Sequence, residues 1–198
     1  TSTLVIGPTS PLAQTLGDVV VTVADRYLPL LYVSPQQINA QVPSDLADGT
    51  YTLTVHWTGQ PDVSGTFTVS RNAPGLFSQS GSTPPYSTAL HEDGTLVTAD
   101  SPVRRGELVT VYGTGFGLYN QRIIDGFTVP DWSFTVADPV EVNAGGTSIH
   151  PDWSGAVPGM VGTVATRFRI PDGVALASSE LSVKVNGRPS NTVILPVQ

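Results

Sequence analysis

Along most of the chain, hydrophobic and polar residues alternate with a period of two, which is typical of β-strands that bury one face. The alternation is clearest in residues 19–23 (VVVTV), 51–57 (YTLTVHW) and 181–185 (LSVKV). Shorter patterns predict further strands at residues 4–6, 65–70, 108–112, 140–144, 163–170 and 191–197. Turn dipeptides that tolerate positive φ lie between them, among them Asp48-Gly49 and Asn186-Gly187. No window has the period of an amphipathic helix, so we predict an all-β chain.

A second pattern repeats at a distance of 128 residues. Residues 42–69 match residues 170–197 without a gap, at apolar positions such as Leu53 and Leu181 and at turn positions such as Gly59 and Gly187. The repeat predicts two tandem immunoglobulin-like β-sandwich domains. We place the first at residues 1–72 and the second at residues 73–198, with residues 118–138 inserted in the second as a loop.

The two copies differ in the sequence that precedes the repeat. The second copy follows a strand pattern at residues 105–113, whereas the first has only residues 3–7 in that place. A sandwich without its opening strand exposes a strand edge and part of its core. We therefore expect either that sequence upstream of residue 1 completes the first sandwich or that another chain supplies a strand. The predicted partner-binding edge consists of Leu4, Val5, Ile6, Val19, Val21 and Val23.

Composition excludes several functional classes. The 198 residues carry a net charge of −7 and a single lysine, Lys184, which argues against a nucleic-acid partner. The apolar runs are far shorter than the roughly 20 residues that a membrane-spanning helix needs. The absence of cysteine excludes disulfides, thiolate metal sites and cysteine nucleophiles.

No motif indicates catalysis or a bound cofactor. A Gly-Xaa-Ser-Xaa-Gly nucleophile elbow is missing, and the glycine-rich residues 113–117 (GTGFG) do not open a helix as a phosphate-binding loop would. The three histidines show no metal-ligand spacing. We expect a non-enzymatic chain with no catalytic residues, cofactor or metal. The open alternative is an interdomain calcium ion held by acidic loop residues: Asp125, Asp131, Asp138 or Asp152.

Aromatic residues in and beyond the inserted loop suggest an alternative function. Tyr119, Trp132 and Trp153 lie between predicted strands, and loop aromatics can stack on sugars or anchor a protein. They could equally cap the open end of the second sandwich. A carbohydrate-binding module that binds a polysaccharide through these three residues is the alternative to a purely structural module.

The order of several motifs resembles the Solibacter-type C-terminal domain, an uncharacterised family found at the ends of large secreted bacterial proteins. The motifs are residues 11–19 (PLAQTLGDV), 30–39 (LLYVSPQQIN), 73–77 (APGLF), 93–96 (DGTL), 105–107 (RGE), 112–117 (YGTGFG) and 157–162 (VPGMVG). Within them, residues 106–116 are similar to the opening strand of IPT/TIG-class immunoglobulin-like domains. The family's opening segment is absent, and the inserted loop is unusually aromatic.

The resemblance implies a secreted or cell-surface bacterial setting and supplies no catalytic residues. The expected function is a non-catalytic structural or adhesion module of a larger protein. Its expected partners are neighbouring domains or identical subunits, which would assemble head-to-tail by β-strand complementation.

Overall fold

A computed structural model describes residues 5–6 and 10–198 of the chain. These residues form β-strands and connecting turns with no helix, which confirms the predicted all-β class. The chain divides into two compact units. The first contains the described residues up to Arg71 with Arg122–Pro130 and Pro158–Val161, and the second contains Asn72–Gln121, Asp131–Val157 and Gly162–Gln198. The loop that the sequence assigns to the second domain is therefore divided, because its middle part belongs to the first unit.

The first unit is a sandwich of two antiparallel sheets with the strand orders β1-β4-β5 and β3-β2-β6-β7. Its strands are β1 Val5–Ile6, β2 Val19–Val23, β3 Arg26–Tyr27, β4 Leu30–Val33, β5 Ile38–Ala40, β6 Gly49–Trp57 and β7 Val63–Val69. Both sheets contribute to one core, which includes the buried Val21 and Val23 of β2 and Leu30 of β4. Alternation along β2 places every second residue, Val19, Val21 and Val23, in that core.

The second unit is a larger sandwich of two antiparallel sheets. Its strands are β8 Gly75–Leu76, β9 Ala89–Leu90, β10 Leu108–Thr114, β11 Val140–Ala144, β12 Thr147–Ile149, β13 Trp153–Ala156, β14 Val164–Arg169, β15 Ala177–Val185, β16 Arg188–Pro189 and β17 Val193–Val197. One sheet has the order β13-β14-β10-β8 with β9 also on β10, and the other has β12-β11-β15 followed by β16 and β17. In chain order these are the A-B-E-D and C′-C-F-G sheets of an immunoglobulin-like sandwich.

Both sheets of the second unit contribute buried side chains to its core. Phe168 of β14 and Val109 of β10 come from one sheet, and Leu181 of β15 and Val142 of β11 come from the other. All four side chains are completely buried. Core packing of this kind is the main source of stability in a sandwich, because apolar area is removed from water.

The repeat is preserved in strand register. In the first unit β6 pairs with β7 so that Leu53 lies opposite Gly65, and 128 residues later Leu181 of β15 lies opposite Val193 of β17. β6 and β15 also begin and end at matching positions. The burial of a residue in one copy of the repeat can therefore be compared with that of the residue 128 positions away in the other copy.

Residues 122–130 are joined to the rest of the first unit by hydrogen bonds that backbone amides donate. The Leu12 amide donates to the Gly126 carbonyl at 2.8 Å, and the Gly126 amide donates to Oε1 of Gln41 at 2.6 Å. The Ser44 amide donates to the Asp125 carboxylate, with 3.1 Å to Oδ2. Gly126 has φ of +83°, and a Cβ there would lie 3.4 Å from Cβ of Pro29. The close contact and the positive φ explain why glycine stands at this position.

Candidate functional site

The first sandwich has an incompletely covered core, and the second sandwich shows the covered state of the same positions. Val42 is 39% exposed whereas its counterpart Ile170 is 1% exposed. Trp57 is 45% exposed whereas its counterpart Val185 is completely buried. Three further hydrophobic residues of the first sandwich, Leu53, Val55 and Phe67, are half-buried, although their counterparts Leu181, Val183 and Leu195 are completely buried. We call Val42, Leu53, Val55 and Phe67 the open face.

Strand order explains the difference in burial. In the second unit β14 pairs with β13 on one side and with β10 on the other. Its counterpart in the first unit, β5, pairs with β4 on one side, and no strand of residues 5–6 and 10–198 lies on the other. The strand that would correspond to β10 is therefore missing from the described part of the first sandwich. Without it, the inner surface of β6 and β7 is exposed to water at a free-energy cost.

The partner-binding edge expected from the sequence lies at a different strand. Val19, Val21 and Val23 belong to β2, which is flanked by β6 on one side and by β3 on the other, and their side chains are buried. The edge role of these three residues is therefore corrected, because a strand paired on both sides has few free backbone groups to offer. Val5 and Ile6 form β1, an end strand beside β4, and Leu4 lies outside the described residues. Binding of a partner strand at β1 stays a prediction.

Trp132 and Trp153 meet in the second unit, as the carbohydrate hypothesis requires. Their ring centroids are 5.4 Å apart with an interplanar angle of 78°, and the Arg167 guanidinium lies 4.4 Å from the Trp132 ring. A T-shaped pair with a cation over one ring gains stability from packing. It also leaves less ring face for a sugar, which stacks flat.

Tyr119 does not belong to an exposed aromatic platform. It is half-buried and packs against the core of the second unit, where its backbone bridges to Val136. Burial raises the pKa of its hydroxyl to about 12. The assignment of Tyr119 to a sugar site is thus corrected, and the carbohydrate hypothesis stays a prediction that depends on Trp132 and Trp153.

A polar cluster in the second unit has the outline of a serine–histidine–acid relay, which the sequence did not indicate. His91 Nδ1 lies 2.5 Å from Oε1 of Glu107, and His91 Nε2 lies 3.2 Å from the Ser101 hydroxyl. The three residues lie along the single connection between β9 and β10, residues 91–107, and they form no local motif in the sequence.

The hydrogen bonds of this cluster favour a structural role. His91 Nε2 also lies 3.1 Å from the Ser101 carbonyl oxygen, which can only accept a hydrogen bond. The Ser101 amide, which would face a developing oxyanion, donates to Thr98. An imidazole that donates from both nitrogens has no lone pair to accept a proton from serine. We interpret His91 as a brace between the Thr98–Ser101 turn and Glu107.

The same contacts govern the charge of His91. Burial by itself lowers its pKa, but the hydrogen bond with Glu107, the Ser101 carbonyl and the charges of Glu107 and Asp93 together raise the pKa above the usual 6.5. Because the folded pKa exceeds the unfolded one, the brace stabilises the fold fully below pH 6.5. The contribution is lost as the pH rises through the folded pKa.

We therefore expect the free energy of unfolding to decrease between pH 6 and pH 9, and to decrease less in a His91→Gln variant. Denaturant titrations at several pH values measure both slopes. The matched control is His150→Gln, which removes an exposed histidine and should keep the wild-type slope. An unchanged slope in His91→Gln would contradict the assignment.

The glycine-rich residues 113–117 form the end of β10 and the following loop. Gly115 and Gly117 have φ of +76° and +88°, which are conformations that favour glycine. Gly113 and Gly115 also pass close to the backbone of residues 73–75. The loop is therefore a strand end whose backbone requires glycine, and no helix follows it.

The acidic and histidine residues of the described chain form no metal site. Among residues 5–6 and 10–198, no group of three or more His, Cys, Asp or Glu side chains is placed to hold a metal ion. The same residues include no helix with the length and apolar character to cross a membrane.

Comparison with known proteins does not assign a family. No family model and no curated protein matches the chain. A solved structure to which it is similar is that of surface layer protein SbsC, domains 4-9, with 20% sequence identity and a TM-score of 0.22. That similarity covers 96% of this chain and 23% of the other, so the chain spans about a quarter of that structure. A proposal for its function therefore rests on the geometry of the chain itself.

Proposed function

We propose that the chain is a non-catalytic structural module of a secreted or surface-assembled bacterial protein, and that its first sandwich is completed by a β-strand from another polypeptide. The open face is the observation that carries the proposal. An apolar surface beside a strand with unpaired backbone groups is the combination that β-strand addition uses. The extracellular setting is supported by the motifs that resemble the Solibacter-type family.

The polypeptide that supplies the strand is proposed to be an identical subunit, which gives head-to-tail assembly. A strand donated by one copy to the next is a heterologous contact, and such contacts extend into filaments or close into rings. The hydrogen bonds around His91 favour a structural role, so no catalytic activity is proposed in addition. The module is therefore proposed to contribute cohesion between subunits.

Self-association tests this proposal directly. We expect the mass measured by sedimentation velocity to rise above the monomer value of 20.8 kDa as the protein concentration increases. A Val42→Asp variant, with a charge on the open face, should stay monomeric at concentrations where the wild-type chain associates. Tyr27→Asp is the control, because Tyr27 is 58% exposed on β3, which lies at the opposite end of the sheet from β7. A stable wild-type protein that remains strictly monomeric would contradict the assembly.

A further inference from the structure

We infer that the open face accepts a single polypeptide segment that pairs with two strand edges, β5 and β7, and that this segment has the chemistry of residues 103–114 of this chain. The inference rests on the proposed function and specifies the strand that completes the sandwich. It depends on the second sandwich, where residues 103–114 lie beside β14 and β17, the counterparts of β5 and β7. The occupant is a strand of another chain with the same pattern, and residues 103–114 serve as the template because Val103, Val109 and Val111 are buried in their own sandwich.

The first contact is an antiparallel pairing along β5. In the second sandwich Val109 and Val111 of β10 lie opposite Phe168 and Thr166 of β14. Their counterparts on β5 are Ala40 and Ile38, because the repeat distance is 128 residues. A strand in the same register would place two apolar side chains toward the core and a polar residue, like Thr110, between them.

The second contact is a parallel pairing along β7. In the second sandwich the Val103 amide donates to the Pro196 carbonyl at 3.0 Å, and the Gln198 amide donates to the Val103 carbonyl at 2.8 Å. The corresponding residues of the first sandwich are Thr68 and Ser70. Within the described residues β7 pairs only with β6, so this outer edge is free of strand partners as well.

A turn at Gly106 lets one segment reach both edges. Gly106 has φ of +80°, and its amide donates to the Ile170 carbonyl at 2.7 Å. The Ile170 amide in turn donates to the Glu107 carbonyl at 3.0 Å. Val42 is the counterpart of Ile170 and stands 39% exposed. The inserted segment would therefore cover Val42 at its turn and the rest of the open face with its strand.

The chemistry of the segment follows from what it must bury. Val103, Val109 and Val111 are each at most 1% exposed in the second sandwich, so apolar β-branched residues are needed at these three positions. A charge at any of them would enter an apolar core without a partner, at a large free-energy cost. The open face should therefore discriminate strongly against acidic residues in the alternating positions.

A synthetic peptide tests the inference on the intact 198-residue chain. The probe is a fluorescently labelled peptide with the sequence of residues 103–114 (VRRGELVTVYGT), and its binding is followed by fluorescence anisotropy. We expect saturable binding that Val42→Asp weakens by about tenfold or more and that Tyr27→Asp leaves unchanged. The same peptide with both Val109→Asp and Val111→Asp should not bind. Hydrogen exchange of the complex should show new protection in residues 37–41 and 66–70.

Each outcome decides between alternatives. Binding that survives Val42→Asp, with protection confined to the second sandwich, would mean that the peptide exchanges with β10, and would overturn the inference. Absence of binding by a folded chain would overturn it as well. Self-association without peptide binding would leave the proposed function intact and remove this inference. Peptide binding to a chain that never self-associates would support the inference and contradict assembly of identical subunits.

Discussion

Replacing Gly115 by alanine is expected to lower the free energy of unfolding of the second sandwich by about 4 kcal/mol or more. Gly115 has φ of +76°, which costs an alanine about 1–2 kcal/mol. A Cβ at this position would also lie 2.1 Å from the Ala73 carbonyl oxygen and 2.9 Å from its carbon. Backbone atoms cannot rotate away from such a contact, and the Ala73 amide donates to the Gly115 carbonyl at 2.9 Å. The connection before β8 must therefore shift and strain that hydrogen bond.

Gly94→Ala is the matched control for Gly115→Ala. Gly94 has φ of +85°, but no atom lies within 4 Å of its virtual Cβ. It should lose only the conformational term of about 1–2 kcal/mol, so the difference between the variants isolates the steric contact. Urea unfolding followed by tryptophan fluorescence measures both losses. Similar losses in the two variants would show that the loop after β10 can relax, contrary to its close approach to the Ala73 backbone.

The long strands with clear alternation were predicted correctly from the sequence. β6 and β15 follow from residues 51–57 and 181–185, and in the structure they pair with β7 and β17 in registers that agree with the 128-residue repeat. The short strands β4, β5, β12 and β13 were not predicted, because three or four residues are too few to display a period. One of them, β5, is the strand that pairs only with β4 among the described residues and therefore has an unpaired edge beside the open face.

Edges could not be predicted because they depend on pairing between distant strands. Val19, Val21 and Val23 indicated a strand correctly, but their alternation is the same whether the strand lies at the edge or inside the sheet. The position of β2 inside the sheet is evident only from the structure, where β3 and β6 lie on either side of it. The unequal segments upstream of the two copies were visible in the sequence, and among the described residues the first sandwich has no counterpart to β10.

Contacts between loops were beyond prediction for a related reason. His91, Ser101 and Glu107 meet within the connection between β9 and β10, and Trp132 meets Trp153 and Arg167 through a long loop. Loops have no periodic sequence pattern from which such side-chain contacts could be predicted. The packing of residues 122–130 on the first unit belongs to the same category, since it depends on single hydrogen bonds to Leu12, Gln41 and Ser44.

The matched leucines of the repeat should respond very differently to truncation. Leu181→Ala is expected to destabilise the second sandwich by about 3–4 kcal/mol, because Leu181 is completely buried and its loss leaves a cavity. Leu53→Ala is expected to destabilise the first sandwich by about 1–2 kcal/mol, because Leu53 is half-buried and water already reaches its side chain. The two residues share chain position, strand register and residue type, so the difference measures how far each core is covered.

Tryptophan fluorescence separates the two measurements. Trp57 belongs to the first sandwich and Trp132 and Trp153 to the second, so a Trp57→Phe background reports the second alone. Adding the peptide of residues 103–114 should raise the cost of Leu53→Ala toward that of Leu181→Ala, because an inserted strand would bury Leu53. The cost of Leu181→Ala should not change. Equal costs without the peptide would mean that the first core is already as well covered as the second, and the case for strand addition at the open face would fail.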